Sequence, residues 1–239
     1  MIRNVSALTQ RELAASFFSP VAYVVAAVFL VATGYLFMTF TLVTGEEASV
    51  RPLLGYMAQI LVFAIPLLTM RTLADEFASG TIETLMTAPI TDTEVVLSKF
   101  LGVLAFYAAL LLTTLLHVVL LFLYGANEVG VFLCGYFGMV LLGAFYISIG
   151  VFASALTRHQ LVAAIIATGV LGVLTFGVQG LSVLRGGNWR SVLGYVSVLR
   201  HFEDFSKGIL DSRAIIFFLS GTAFFLFLAV KVLESRRWR

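Results

Sequence analysis

The sequence predicts an all-α membrane protein with six transmembrane helices, and three features carry that reading. Of the 239 residues, 60% are hydrophobic and 12% charged, with a mean hydropathy of +1.03. Soluble domains are nearer about half apolar and about a quarter charged, and a chain this size has too little interior to hide the excess. The apolar residues also fall into six runs, each long enough to cross a hydrocarbon layer of about 30 Å as a helix. Finally, the bases sit mainly at the ends of those runs, where membrane proteins keep them.

Residues 1–19 carry Arg3, Arg11 and Glu12 among Val5, Leu8, Leu13 and Phe17. The apolar spacing of three and four predicts a short amphipathic helix lying at the interface. The segment does not read as a cleavable signal, because the apolar run that follows is too long for a signal core. Pro20 opens the first span, 21–43, as proline suits a first helical turn. A polar turn with Gly45, Glu46 and Glu47 leads to the second span, 53–70, with Pro66 inside it. After the polar segment 71–99 come the third span (100–124), a turn at Gly125–Glu128, and the fourth span (129–156). The fourth span is rich in small residues, which let helices approach closely in lipid. A turn at Thr157–Gln160 precedes the fifth span, 161–184, again glycine-rich. In 185–213, Trp189, Val192, Leu193, Val196, Leu199, Phe202, Phe205 and Ile209 recur every three or four residues. That spacing predicts amphipathic helix lying at or dipping into the interface. The sixth span is 214–230, and the whole chain, 1–239, reads as one transmembrane domain.

The segment 71–99 holds two bases and five acids, a net charge of −3, between apolar runs. Asp75, Glu76 and Glu83 are positioned to pair with bases on a partner, and Leu73, Phe77, Ile82, Leu85 and Met86 to supply an apolar docking face. Pro89 stops the helix before it, since the residue preceding proline avoids the α region. Thr91 or Asp92 then caps a helix running into the third span. Six spans put both termini on one side. With that side inside, nine bases lie inside and six outside, a positive-inside bias.

Several chemistries are missing. The chain has no G-x-x-x-x-G-K-[ST], no H-E-x-x-H and no G-x-S-x-G, so no P-loop ATPase or common hydrolase motif is present. Its single cysteine, Cys134, supports neither an internal disulfide nor a cysteine metal site. No cofactor, metal or nucleic acid is expected. His117, inside the third span, is read as a neutral histidine bonded to a neighbouring helix. The spans otherwise lack buried charge, which weighs against an ion-coupled carrier or an intramembrane enzyme. The energy source is therefore expected outside the chain, acting through 71–99.

The run from Glu76 to Leu85 (EFASGTIETL), followed by Thr87-Ala88-Pro89-Ile90 and Lys99-Phe100-Leu101-Gly102, resembles the hallmark of ABC type-2 exporter permeases. It is most similar to their gliding-motility, GldF-like and NosY-like branch. Arg11-Glu12-Leu13 with Phe18–Tyr23, Ser154–Thr157 with Gln160 and Ala163, and His201-Phe202-Glu203 with Gly208, Asp211 and Arg213 resemble further blocks in the same order. The resemblance implies six spans, an N-terminal elbow helix, a cytoplasmic coupling helix between spans 2 and 3, and external helices between spans 5 and 6. By position, Asp75, Glu76, Phe77, Gly80, Thr81, Glu83, Leu85, Met86 and Pro89 would form the ATPase-coupling region, and Arg11 and Glu12 would belong to the elbow. It also implies a second, identical or related permease chain and a separate ABC ATP-binding subunit that binds the ATP. The location would be the bacterial cytoplasmic (inner) membrane, with both termini cytoplasmic. An alternative is a non-transporting membrane subunit whose complex drives assembly or motility of a surface machine.

Overall fold

The computed structural model describes residues 2–41, 49–81, 90–124, 128–184 and 195–237. Among them the protein is all-α, and six stretches are long and apolar enough to cross a membrane. Helix α1 (Ile2–Phe17) lies along the third span. Pro20 does open α2 (Pro20–Leu36), which ends in a π-helical segment, Phe37–Thr41. Helix α3 (Arg51–Thr69) contains Pro66 and passes through a turn into the short α4 (Ala74–Ser79). Gly80, at φ 73°, ends α4 in the left-handed conformation that a side chain would resist.

The third span begins earlier than its apolar run. Helix α5 runs Asp92–Leu123 because Thr91 and Glu94 form a capping box. Thr91 Oγ1 accepts from the Glu94 N–H at 3.3 Å, and Glu94 Oε2 accepts from the Thr91 N–H at 3.0 Å. The last third of the expected polar segment is thus the first two turns of a span, roughly. Its Glu94, Ser98 and Lys99 are buried.

Helix α6 (Val129–Leu156) is the central post, packed by α3, α5 and the helices after it. Its small residues make this possible. A Cβ added at Gly143 would sit 2.0 Å from Tyr107, and one at Gly150 would sit 2.1 Å from the Thr69 hydroxyl. The fifth span is α7 (Gln160–Gly172), a π-helical segment (Val173–Gly177) and α8 (Val178–Leu184). Its Gly169, Gly172 and Gly180 meet nothing within 4 Å, so among the described residues these three are not used for packing.

Helix α9 (Val198–Ser206) is amphipathic as expected, but its apolar face does not rest on lipid. Val198, Leu199, Phe202 and Phe205 are buried against α6 and α3, with Phe205 over Gly138. A three-to-four spacing is the same whether the neighbour is lipid or protein. Trp189, Val192 and Leu193 lie outside the described residues. Helix α10 (Ser212–Arg237) completes the bundle and overruns the expected sixth span at both ends. His117 also differs from expectation. Its Nδ1 is 3.2 Å from the Thr114 carbonyl of its own helix, and its ring meets Phe37 edge-on.

Candidate functional site

The ends of five helices meet around α4, and each is fastened to it by a named contact. The turn before α4 leaves the first backbone N–H groups of a helix unpaired, as every helix start does. Leu73 has no side-chain oxygen to cap them. Ser154, near the end of α6, does so instead: its hydroxyl accepts from the Leu73 and Ala74 N–H groups at 3.0 Å each and donates to the Met70 carbonyl at 3.2 Å.

One face of α4 carries Glu76 into an ion cluster. Lys99 Nζ donates to Glu76 Oε1 at 2.5 Å and to Glu12 Oε1 at 2.8 Å. Arg11 reaches the same two oxygens at 3.5 and 3.2 Å. The Lys99 side chain is only 5% exposed. Desolvating an ammonium costs several kcal/mol, roughly, and the two carboxylates offset it. Helix α1 can bring Glu12 this close because Gly102 leaves room: a Cβ there would sit 2.6 Å from the Glu12 Cβ.

Another face carries Asp75. Its Oδ2 accepts from Arg71 Nε at 3.2 Å and its Oδ1 from the Gln160 amide at the start of α7. Arg71 Nη1 also donates to the Ser19 hydroxyl at 3.3 Å, which draws in the α1–α2 turn. On the remaining side the Arg236 guanidinium of α10 lies 4.3 Å from the centre of the Phe77 ring and donates to the Leu156 carbonyl at 2.7 Å. Beside this hub is a half-open cleft of about 470 Å³, lined by residues of α1, α2, α3, α4 and α5.

The structure therefore gathers Arg11, Glu12, Asp75, Glu76 and Phe77 at one end of the bundle, with Gly80 and Thr81 just beyond. Thr81 Oγ1 is 2.9 Å from the Ser79 hydroxyl. Glu83, Leu85, Met86 and Pro89, with Ile82, lie outside the described residues. Two expectations are corrected. Glu76 has its bases within the chain, and Asp75 is likewise paired internally. Leu73 and Phe77 are core residues rather than a free docking face. The reason is one of length: with α5 begun at Asp92, Lys99 falls inside the bundle, and Glu76 turns in to meet it.

Lys99, Ser154, Gln160 and Arg236 are parts of the hub that the sequence did not assign a role. Lys99 was not within reach of sequence reasoning, since a cap at Thr91 or Asp92 starts its helix but does not tell which way Lys99 turns. Ser154 and Arg236 act on α4 from about 80 and 160 residues away, respectively, and no local pattern announces such a contact. Among the described residues, no group of three His, Cys, Asp or Glu side chains could hold a metal ion.

Fold and site together define a multi-pass helical membrane protein whose polar machinery lies at one end of its spans. The family model for the ABC-2 family transporter proteins matches residues 1–190, and the chain belongs to that family. It is thus a permease component of an ABC transporter, a class that works with lipid and an ATP-binding subunit. Among curated proteins, none matches the chain.

Proposed function

We propose that this permease passes the work of a separate ATP-binding subunit into the membrane through α4 and the residues after it, moving a substrate across the bilayer. The observation that supports this is the five-way fastening of α4. Glu76, Asp75, Phe77 and the α4 backbone are each bonded to a different neighbour, so a push on α4 reaches α1, α5, α6, α7 and α10 together. On this reading α4 and 81–89 are the coupling region and α1 the elbow, in the GldF-like and NosY-like manner the sequence resembles. The hub then faces the cytoplasm of a bacterial inner membrane, with both termini beside it.

A second permease chain, identical or related, completes the transporter. Gly169, Gly172 and Gly180 open onto empty space beside exposed Leu161 and Ile165, and small residues at a lipid-facing surface suit close helix pairing.

The test is co-purification in mild detergent with the ATP-binding subunit, followed by ATPase assay in vesicles. The native pair should stay together and Glu83→Lys should break it while the permease still inserts. A permease that never retains such a subunit, or a cysteine at position 81 (in a Cys134→Ser background) that is labelled only from outside the cell, would overturn the proposal.

A further inference from the structure

Helices α3 and α6 lie side by side in a single register. Gly135 faces Leu54 and Gly150 faces Thr69, and a Cβ added at these glycines would lie 2.3 and 2.1 Å from the facing side chains. Both pairs are separated by 81 residues, as are Leu73 and Ser154 at the hub. One separation kept over about four turns leaves the two helices parallel, with neither gaining a turn on the other. Sliding α3 by one turn would set Thr69 against Tyr146 or Ser154 and Leu54 against Val131 or Met139, none of them a glycine.

The pair is also clasped at both ends. At the hub, Ser154 caps the Leu73 and Ala74 N–H groups. At the far end, α3 is preceded by Val50, which has no side-chain oxygen to cap the free N–H groups of a helix start. Glu128, the residue before α6, takes that place. Its Oε2 accepts from the Ser49 hydroxyl at 2.8 Å and the Val50 N–H at 3.4 Å, and its Oε1 lies 3.3 Å from Arg51 Nη2. A carboxylate suits the positive end of a helix. Helix α9 rests on the same pair beside this clasp, with Phe205 over Gly138.

We propose that Glu128 is a positioning residue for coupling: it fixes the start of α3 to α6, so the pair crosses the bilayer as one rod. A displacement of α4 at the hub then arrives undiminished on the opposite side and carries α9 with it. The inference rests on the coupling role proposed for α4. Close-packed side chains pass a displacement on rather than absorb it, whereas a rod held at one end alone can hinge at the other.

The experiment is pulsed electron resonance on the full chain with its ATP-binding subunit in lipid nanodiscs, in a Cys134→Ser background. Spin labels on cysteines at 23 and 79 read the hub end, and at 38 and 203 the far end, all of them exposed positions. ATP should shift both distances when Glu128 is present. Glu128→Ala should keep the first shift and cut the second to about half or less, as a hinge opens at the lost clasp. Without ATP, the same variant should broaden the far-end distances alone. Glu128→Gln, which keeps an oxygen for Ser49 and Val50, should recover most of the far-end shift. Should Glu128→Ala fail to fold, Ser49→Ala removes the shortest bond of the clasp and carries the same expectation. Far-end distances as narrow in the alanine variant as with Glu128, or a far-end shift of undiminished size, would overturn the proposal. A hub end that ATP leaves unmoved with Glu128 present would overturn the coupling role of α4 instead, and the widths measured without ATP would still decide on the clasp.

Discussion

Lys99 shows how much a single charge can organise when its partners come from two other helices, α1 and α4. Two carboxylates share its ammonium, so removing it alone leaves both with only the exposed Arg11 guanidinium at 3.2 and 3.5 Å. Lys99→Met should lower stability by about 3 kcal/mol, the usual cost of breaking a buried pair from one side. Combining it with Glu12→Gln and Glu76→Gln should restore most of the loss, because all three charges then leave together. Melting temperatures in detergent measure both; a triple variant no more stable than the single one would show that packing, not charge, holds the cluster. Ser154→Ala should cost about 2 kcal/mol by orphaning two buried N–H groups, and amide exchange at Leu73 and Ala74 should quicken selectively. At this scale the sequence was half legible. Arg11 and Glu12 were placed on the elbow and Asp75 and Glu76 in a separate polar segment, and neither their meeting nor the direction in which they point was read. Whether an acid faces a partner protein or a buried lysine depends on how the next helix packs, and a cap at Thr91 or Asp92 does not tell which way Lys99 turns.

Among the elements, α5 carries the clearest local logic. Thr91→Ala should weaken its first turn by about 1 kcal/mol, while Thr91→Ser should be close to neutral. Hydrogen exchange at residues 92–95 reads this directly, and protection unchanged in the alanine variant would mean that tertiary packing alone holds the turn. The cap was legible to within one residue, since Thr91 or Asp92 was expected there and Thr91 takes the role, with Glu94 closing the box. The surroundings of α9 were not, since its buried face has the same period that a lipid-facing one would have. The π-helical segments were also beyond the sequence. In one of them the Thr175 hydroxyl meets the Tyr146 hydroxyl at 3.0 Å, a pairing between distant turns that no short-range pattern encodes.

For the molecule as a whole, six spans were readable because hydrocarbon thickness imposes a minimum length on every crossing. What the sequence did not separate was the role of glycine in the fourth span from its role in the fifth. Both look alike as text, yet Gly143 and Gly150 are filled by neighbours and Gly169 and Gly172 are not. If the vacant row receives a second copy, cysteine at position 172 in a Cys134→Ser background should give disulfide-linked dimers on mild oxidation in membranes. Cysteine at the fully buried position 139 should not. Monomer only at 172 would direct the search for a pairing face elsewhere.

The grip of Arg236 on Phe77 and on the Leu156 carbonyl bears on biogenesis. The short helix it secures is made early by the ribosome, yet the last clasp upon it is synthesised about 160 residues later. A nascent or prematurely terminated chain therefore has to wait with that helix incompletely moored. Chains ending at residue 234 should still insert, but should be cut by protease near residues 74–81 far faster than finished ones. Equal resistance would show that the clasp is ornamental, and faster cutting would make it a mark by which a cell could tell complete copies from unfinished ones.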